Sequence, residues 1–68
     1  MTFSEKVLEV RGKLQMTQMQ LADELGVSYT TVNRWEKGHH KATFLIQRKF
    51  NDFCKKHEIT FETENENG

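Results

Sequence analysis

The chain has no proline, a single cysteine and only four glycines, one of which is its last residue. With no proline, nothing forbids helix outright, and the interior breakers reduce to Gly12, Gly26 and Gly38. That spacing favours helices with short connections. Cys54 has no second cysteine to pair with, so an internal disulfide is excluded and a reducing, cytoplasmic setting is expected. No apolar run approaches the ~20 residues of a membrane span, and the N-terminus lacks the layout of a signal peptide. Catalytic signatures are missing too. There is no glycine-rich phosphate loop, no nucleophile elbow and no HExxH, so an enzyme is not expected. Sixty-eight residues suffice for one domain with a thin stability margin.

Net charge is also lacking, because ten basic residues balance ten acidic ones. The balance is uneven along the chain. Glu62, Glu64 and Glu66 lie in the last seven residues, so residues 1–61 hold all ten basic groups and a net charge of +3. A mildly basic domain of residues 1–61, followed by an acidic, polar tail over 62–68 expected to be disordered, permits a nucleic-acid partner without demanding one.

What is present is helical periodicity, and the spacing predicts an all-α bundle of four short helices at about 4–14, 18–25, 29–37 and 44–57. In the first, Phe3, Val7, Val10 or Arg11, and Leu14 recur on one face. Ser4 is the favoured N-cap, with Phe3 and Leu8 as a hydrophobic staple, while Thr2 and Glu5 form a competing capping box. Gly12 marks an early end or a close approach by a backbone or a phosphate. Thr17 and Gln20 make a capping box for the second helix, stapled by Met16 and Leu21, and Leu21, Ala22 and Leu25 face inward. Gly26 is expected to be left-handed and to stop that helix. Ser28 caps the third, Val27 staples to Val32, and Val32 and Trp35 turn inward before Gly38. Thr43 caps the fourth, where Ile46, Phe50, Phe53 and Cys54 share a stripe. Phe44 lies roughly 160° from Ile46 and is expected to be exposed. Ile59 to Thr63 alternate like a short strand, with Ile59 and Phe61 expected to cover the open end of the core.

The segment from Gln18 to Lys37, QMQLADELGVSYTTVNRWEK, has the pattern of a helix-turn-helix. A small residue, Ala22, lets two helices approach, Gly26 takes the turn and Val32 locks the second helix. These residues resemble the Xre family of phage-repressor-type, lambda-repressor-like domains, over about residues 4 to 58. The resemblance implies a DNA-binding domain whose third helix reads the major groove, most simply a transcriptional repressor. It also implies a phosphate contact from Gln18 and an ion pair between Arg11 and Glu36. Ala42, Thr43, Phe44 and Gly12 depart from the family pattern.

Residues of the third helix not needed for the core are the expected base readers: Ser28, Tyr29, Thr30, Asn33 and Arg34. A guanidinium can bond guanine O6 and N7 together, which favours Arg34 for direct readout. Thr17 and Gln18, at a helix N-terminus with free amides, are expected on phosphates, as are Lys37, His39, His40 and Lys41 beyond the recognition helix. The plain alternative for these residues is an ordinary solvated face. No metal or cofactor is expected: Cys54 and His57 with His39 and His40 lack the compact pairing of a zinc site. Expected partners are double-stranded DNA, with a homodimer on a palindromic site, and a protein bound through the fourth helix or the tail. The second reading, an antitoxin or accessory protein, uses the tail or the Phe44 surface for such a partner. A third reading is an interaction module that has lost DNA binding; Gln18, Arg34 and the basic 37–41 loop argue against it.

Overall fold

Every helix begins on a hydroxyl side chain that accepts the amide three residues on. The computed structural model describes residues 2–39 and 43–61. Over these, α1 spans Phe3–Leu14, α2 Gln18–Leu25, α3 Tyr29–Lys37 and α4 Phe44–Lys56. Their caps are Thr2, Thr17, Ser28 and Thr43, each in extended backbone, which satisfies one otherwise orphaned N–H per helix. The described residues contain no strand.

The start of α1 corrects the expected cap. Thr2 and Glu5 exchange two bonds, Thr2 N–H to Glu5 Oε1 at 2.8 Å and Glu5 N–H to Thr2 Oγ1 at 3.1 Å. A reciprocal box satisfies two groups where Ser4 would satisfy one, so the helix starts one residue early. Leu8 is 46% exposed rather than stapled, because Phe3 turns inward. Its ring meets Trp35 and Phe50 edge-on, both at 5.2 Å. Gly12 neither ends α1 nor meets another part of the fold: a Cβ there would touch nothing within 4 Å. Instead α1 ends at Gln15, a left-handed non-glycine with φ 53°.

The core is one cluster. α1 supplies Val7 and Val10, α2 Leu21, Ala22 and Leu25, α3 Val32 and Trp35, and α4 Phe50, Phe53 and Cys54. The inward residues are thus those the periodicity selects, and α3 packs against both α1 and α2. The Trp35 indole Nε1 finds no acceptor among the described residues. That costs about 1–3 kcal/mol. Burying the ring contributes about 4–6 kcal/mol, so packing outweighs the unmade bond.

α4 ends one residue before the expected limit, with His57 as its cap. The expected strand does not form among its described residues, 59–61. Glu58 takes φ 57°, and the Ile59 N–H returns to the Cys54 carbonyl at 2.8 Å. That bond drops Ile59 into the core and leaves Phe61 packed against its edge, so the two do cover the open end. Glu62 and Thr63, with the rest of the tail, lie outside the described residues.

Candidate nucleic-acid interface

The turn between α2 and α3 is built by Gly26, at φ 71°. Val27 N–H reaches back to the Ala22 carbonyl at 3.0 Å, which directs Val27 onto the core and places Ser28 to cap α3. Ala22 is buried where α2 meets α3, with no side chain beyond a methyl to hold the helices apart.

With Val32 and Trp35 buried, the opposite face of α3 is set by 3.6-residue geometry. Thr30, Arg34 and Lys37 lie along it and are exposed, with Asn33 half-buried at its margin and Tyr29 47% exposed at its start. From Thr30 to Lys37 this stripe runs about 10 Å, enough to follow several base edges in a major groove. Ser28 is exposed, but its hydroxyl oxygen is engaged by the cap. It accepts the Thr31 N–H at 3.1 Å and lies 2.8 Å from Thr31 Oγ1.

At the N-terminus of α2, Thr17 and Gln20 form the expected capping box, at 2.8 and 3.0 Å. The box leaves the Gln18 and Met19 amides without a partner among the described residues, as first-turn N–H groups of a helix commonly are. The Gln18 side chain is engaged elsewhere: its Nε2 donates to Glu36 Oε1 at 2.7 Å. That bond uses one of the two Nε2 hydrogens, so Gln18 retains the second and its backbone amide as donors.

Glu36 receives more than Gln18. Arg11 donates from Nε to Oε2 at 2.5 Å and from Nη2 to Oε1 at 2.9 Å, and its Nη1 reaches the Met16 carbonyl at 3.2 Å. The Glu36 side chain is only 7% exposed. Burial alone would raise its pKa, but the hydrogen bonds from Arg11 and then Gln18, with the charge of Arg11, hold the carboxyl below its ordinary value. The bond to Glu36 likewise raises Arg11, against the effect of burial. The expected ion pair is therefore present, and it joins α1, the start of α2 and the end of α3.

Lys37, the last residue of α3, and His39 beyond it are exposed, while His40 and Lys41 lie outside the described residues. Two features escaped the sequence reading. Met19 is 58% exposed beside Gln18, and the Ser4 hydroxyl donates to the Glu36 carbonyl at 2.7 Å. The second had a signal, since Ser4, Val7 and Arg11 are spaced to share one face of α1. Among the described residues no group of His, Cys, Asp or Glu is placed to hold a metal ion, and no helix is long and apolar enough to cross a membrane.

A family model described as a helix-turn-helix, HTH_3, matches residues 7–49. The chain belongs to this family. The match takes in α2, the turn and α3 whole, and stops short of the first turn of α1 and the end of α4. The HTH_3 assignment bears out the Xre-type, lambda-repressor-like resemblance and the DNA-binding helix-turn-helix it implied. The chain is also 45% identical over 38 residues to the HTH-type transcriptional activator BcrR of Enterococcus faecalis. That region is 56% of this chain but 19% of the relative, so the chain spans a small part of that protein. No solved structure matches the chain.

Proposed function

We propose that this HTH_3 domain binds specific double-stranded DNA sequences as a transcriptional regulator, with α3 in the major groove. The observation that carries the reading is the outward stripe of α3. Thr30, Arg34 and Lys37 are exposed along it, while the C-terminal end of the helix is tied to α1 and α2 through Glu36. In this reading Arg34 takes a guanine, and Thr30, Asn33 and Tyr29 meet neighbouring bases or a thymine methyl. Ser28, its oxygen held by the cap, approaches the same edges from the start of the helix. Phosphates are met by the amides at the start of α2, with Thr17 and Gln18, and by Lys37, His39, His40 and Lys41. The protein acts in the cytoplasm without catalysis, as a repressor that occludes a promoter, and pairs on a palindromic site.

Selection of bound sites from random DNA tests this. Two inverted half-sites about one helical turn apart are expected. Failure to enrich any sequence overturns the reading. A promoter reporter then reads the direction of regulation, which matters because the Enterococcus relative is named an activator.

One observation supports the second reading, a DNA-binding antitoxin or accessory protein. Phe44 and Leu45, side by side at the start of α4, are 76% and 72% exposed. Isolated exposed apolar residues are ordinary; two adjacent ones at the start of α4 suit a protein partner. Co-purification of a partner, lost on Phe44→Ser, would select this reading.

A further inference from the structure

The last four carbonyls of a helix have no partner within it, and their fates at the end of α3 differ. Gly38, left-handed at φ 74°, turns its N–H onto the Trp35 carbonyl at 3.0 Å, and His39 N–H reaches the Arg34 carbonyl at 3.1 Å. The local turn therefore serves Arg34 and Trp35. It does not serve Glu36. That carbonyl takes the Ser4 hydroxyl, 32 positions away in sequence, at 2.7 Å. Ser4 has no capping duty of its own, because Thr2 caps α1.

Glu36 is thus held from α1 at two groups: its carboxylate by Arg11 and its carbonyl by Ser4. The two holders are seven residues apart, two turns and about 10 Å along α1. A single attachment would let the end of α3 pivot about the Glu36 side chain. Two attachments spaced along a rigid helix fix its direction. Phe3, next to Ser4, presses the same turn of α1 on Trp35, so the clasp has an apolar floor.

We infer that Ser4 is a positioning residue for sequence reading: through the Glu36 carbonyl it sets the direction in which α3 presents Thr30 and Arg34. Ser4 touches no DNA in this arrangement. The inference rests on the DNA-binding reading above. Base-edge hydrogen bonds tolerate little misdirection, whereas attraction to phosphates depends mainly on the number of charges. Loss of the Ser4 hydroxyl therefore weakens binding to the preferred site and spares binding to random DNA.

The test compares wild type, Ser4→Ala and Ser4→Thr, each titrated with the selected site and with random duplex over a range of salt. Ser4→Ala is expected to lose about three- to tenfold in the ratio of specific to random affinity, the equivalent of one hydrogen bond. Its random affinity and salt slope should stay unchanged, and Ser4→Thr, which keeps the hydroxyl, should restore the ratio. Partial unfolding of Ser4→Ala would lower both affinities together and leave the ratio intact, so it cannot imitate this result. An unchanged ratio, or no rescue by threonine, overturns the inference while the DNA-binding reading stands. A wild type that prefers no sequence overturns that reading, and the inference with it.

Discussion

Arg11 and Glu36 meet through two parallel N–H···O bonds, Nε to Oε2 and Nη2 to Oε1, across 25 positions of sequence. This planar fork orients both residues, which a single contact between point charges would not do. Gln18 closes the arrangement from α2, so one carboxylate fixes three helices at the end of α3. The pair's own contribution to stability is modest; removing half of it is costly, because a largely buried charge then stands unpaired.

Glu36→Ala should accordingly destabilise the fold by about 2–3 kcal/mol, below the range for a fully buried pair because the Arg11 side chain is 25% exposed. Glu5→Ala removes one arm of the α1 capping box and should cost about 0.5–1 kcal/mol. Thermal melts of the two variants, at about 4–8 °C per kcal/mol for a domain of this size, separate them. Equal melting temperatures would deny the ion pair its structural role.

Acid should find the same carboxylate. Glu36 has a folded-state pKa below its ordinary value, whereas an unfolded glutamate titrates near ~4.3. The stability this group supplies is complete above the unfolded value and is lost as pH falls through the lower folded one. Melting temperature should therefore fall more steeply on acidification below about pH 4.5 in wild type than in Glu36→Gln. Parallel curves would mean that the carboxylate binds its proton alike in both states.

Two glycines should respond to alanine in opposite directions. Gly12 sits inside α1 with open space where a Cβ would go, so Gly12→Ala should stabilise by about 0.5–1 kcal/mol. Gly26 has φ 71°, and a Cβ would come within 3.3 Å of Lys49 Nζ. Gly26→Ala should destabilise by about 1–2 kcal/mol, most of it from the left-handed backbone, because a lysine end can move. Denaturant midpoints shifted the same way in both variants would contradict the assignment.

On DNA, Arg34→Ala should weaken binding to the selected site by about 1–3 kcal/mol and relax preference at one base pair. Lys37→Ala should instead weaken all sequences alike and reduce the salt slope by about one. Titrations against the site, its single-base variants and random duplex distinguish the two. An Arg34 variant that loses specific and random affinity equally would move Arg34 to the phosphate class.

Helices and core were legible in the sequence because they rest on local rules. The caps at Thr17, Ser28 and Thr43, the left-handed turn at Gly26, the stop at Gly38 and the inward residues of all four helices follow from spacing within about seven residues. The differences arise where another group competes. Ser4 can cap α1 on its neighbours alone, but the Thr2–Glu5 box takes the start of the helix and the Ser4 hydroxyl goes to the Glu36 carbonyl, 32 positions away. Local spacing pairs Leu8 with Phe3, whereas the rings of Trp35 and Phe50 offer Phe3 a larger apolar surface. Alternation at Ile59 to Thr63 suggests a strand, yet no partner strand exists among the described residues and the end of α4 takes up Ile59 instead. The Arg11–Glu36 pair came from family resemblance. Spacing alone places neither residue opposite the other.

Cys54 lies 4% exposed among the core residues of α4, and burial pushes its thiol up to about 11, with Lys6 opposing the shift in part. At neutral pH the folded thiol stays protonated, and a reagent must still reach it through packed side chains. Chemical labelling at this sulfur can therefore proceed only as fast as the domain opens. The protein carries its own clock for that event. A duplex that binds the folded form should slow the clock in proportion to occupancy, giving a measure of binding that needs neither dye nor tag.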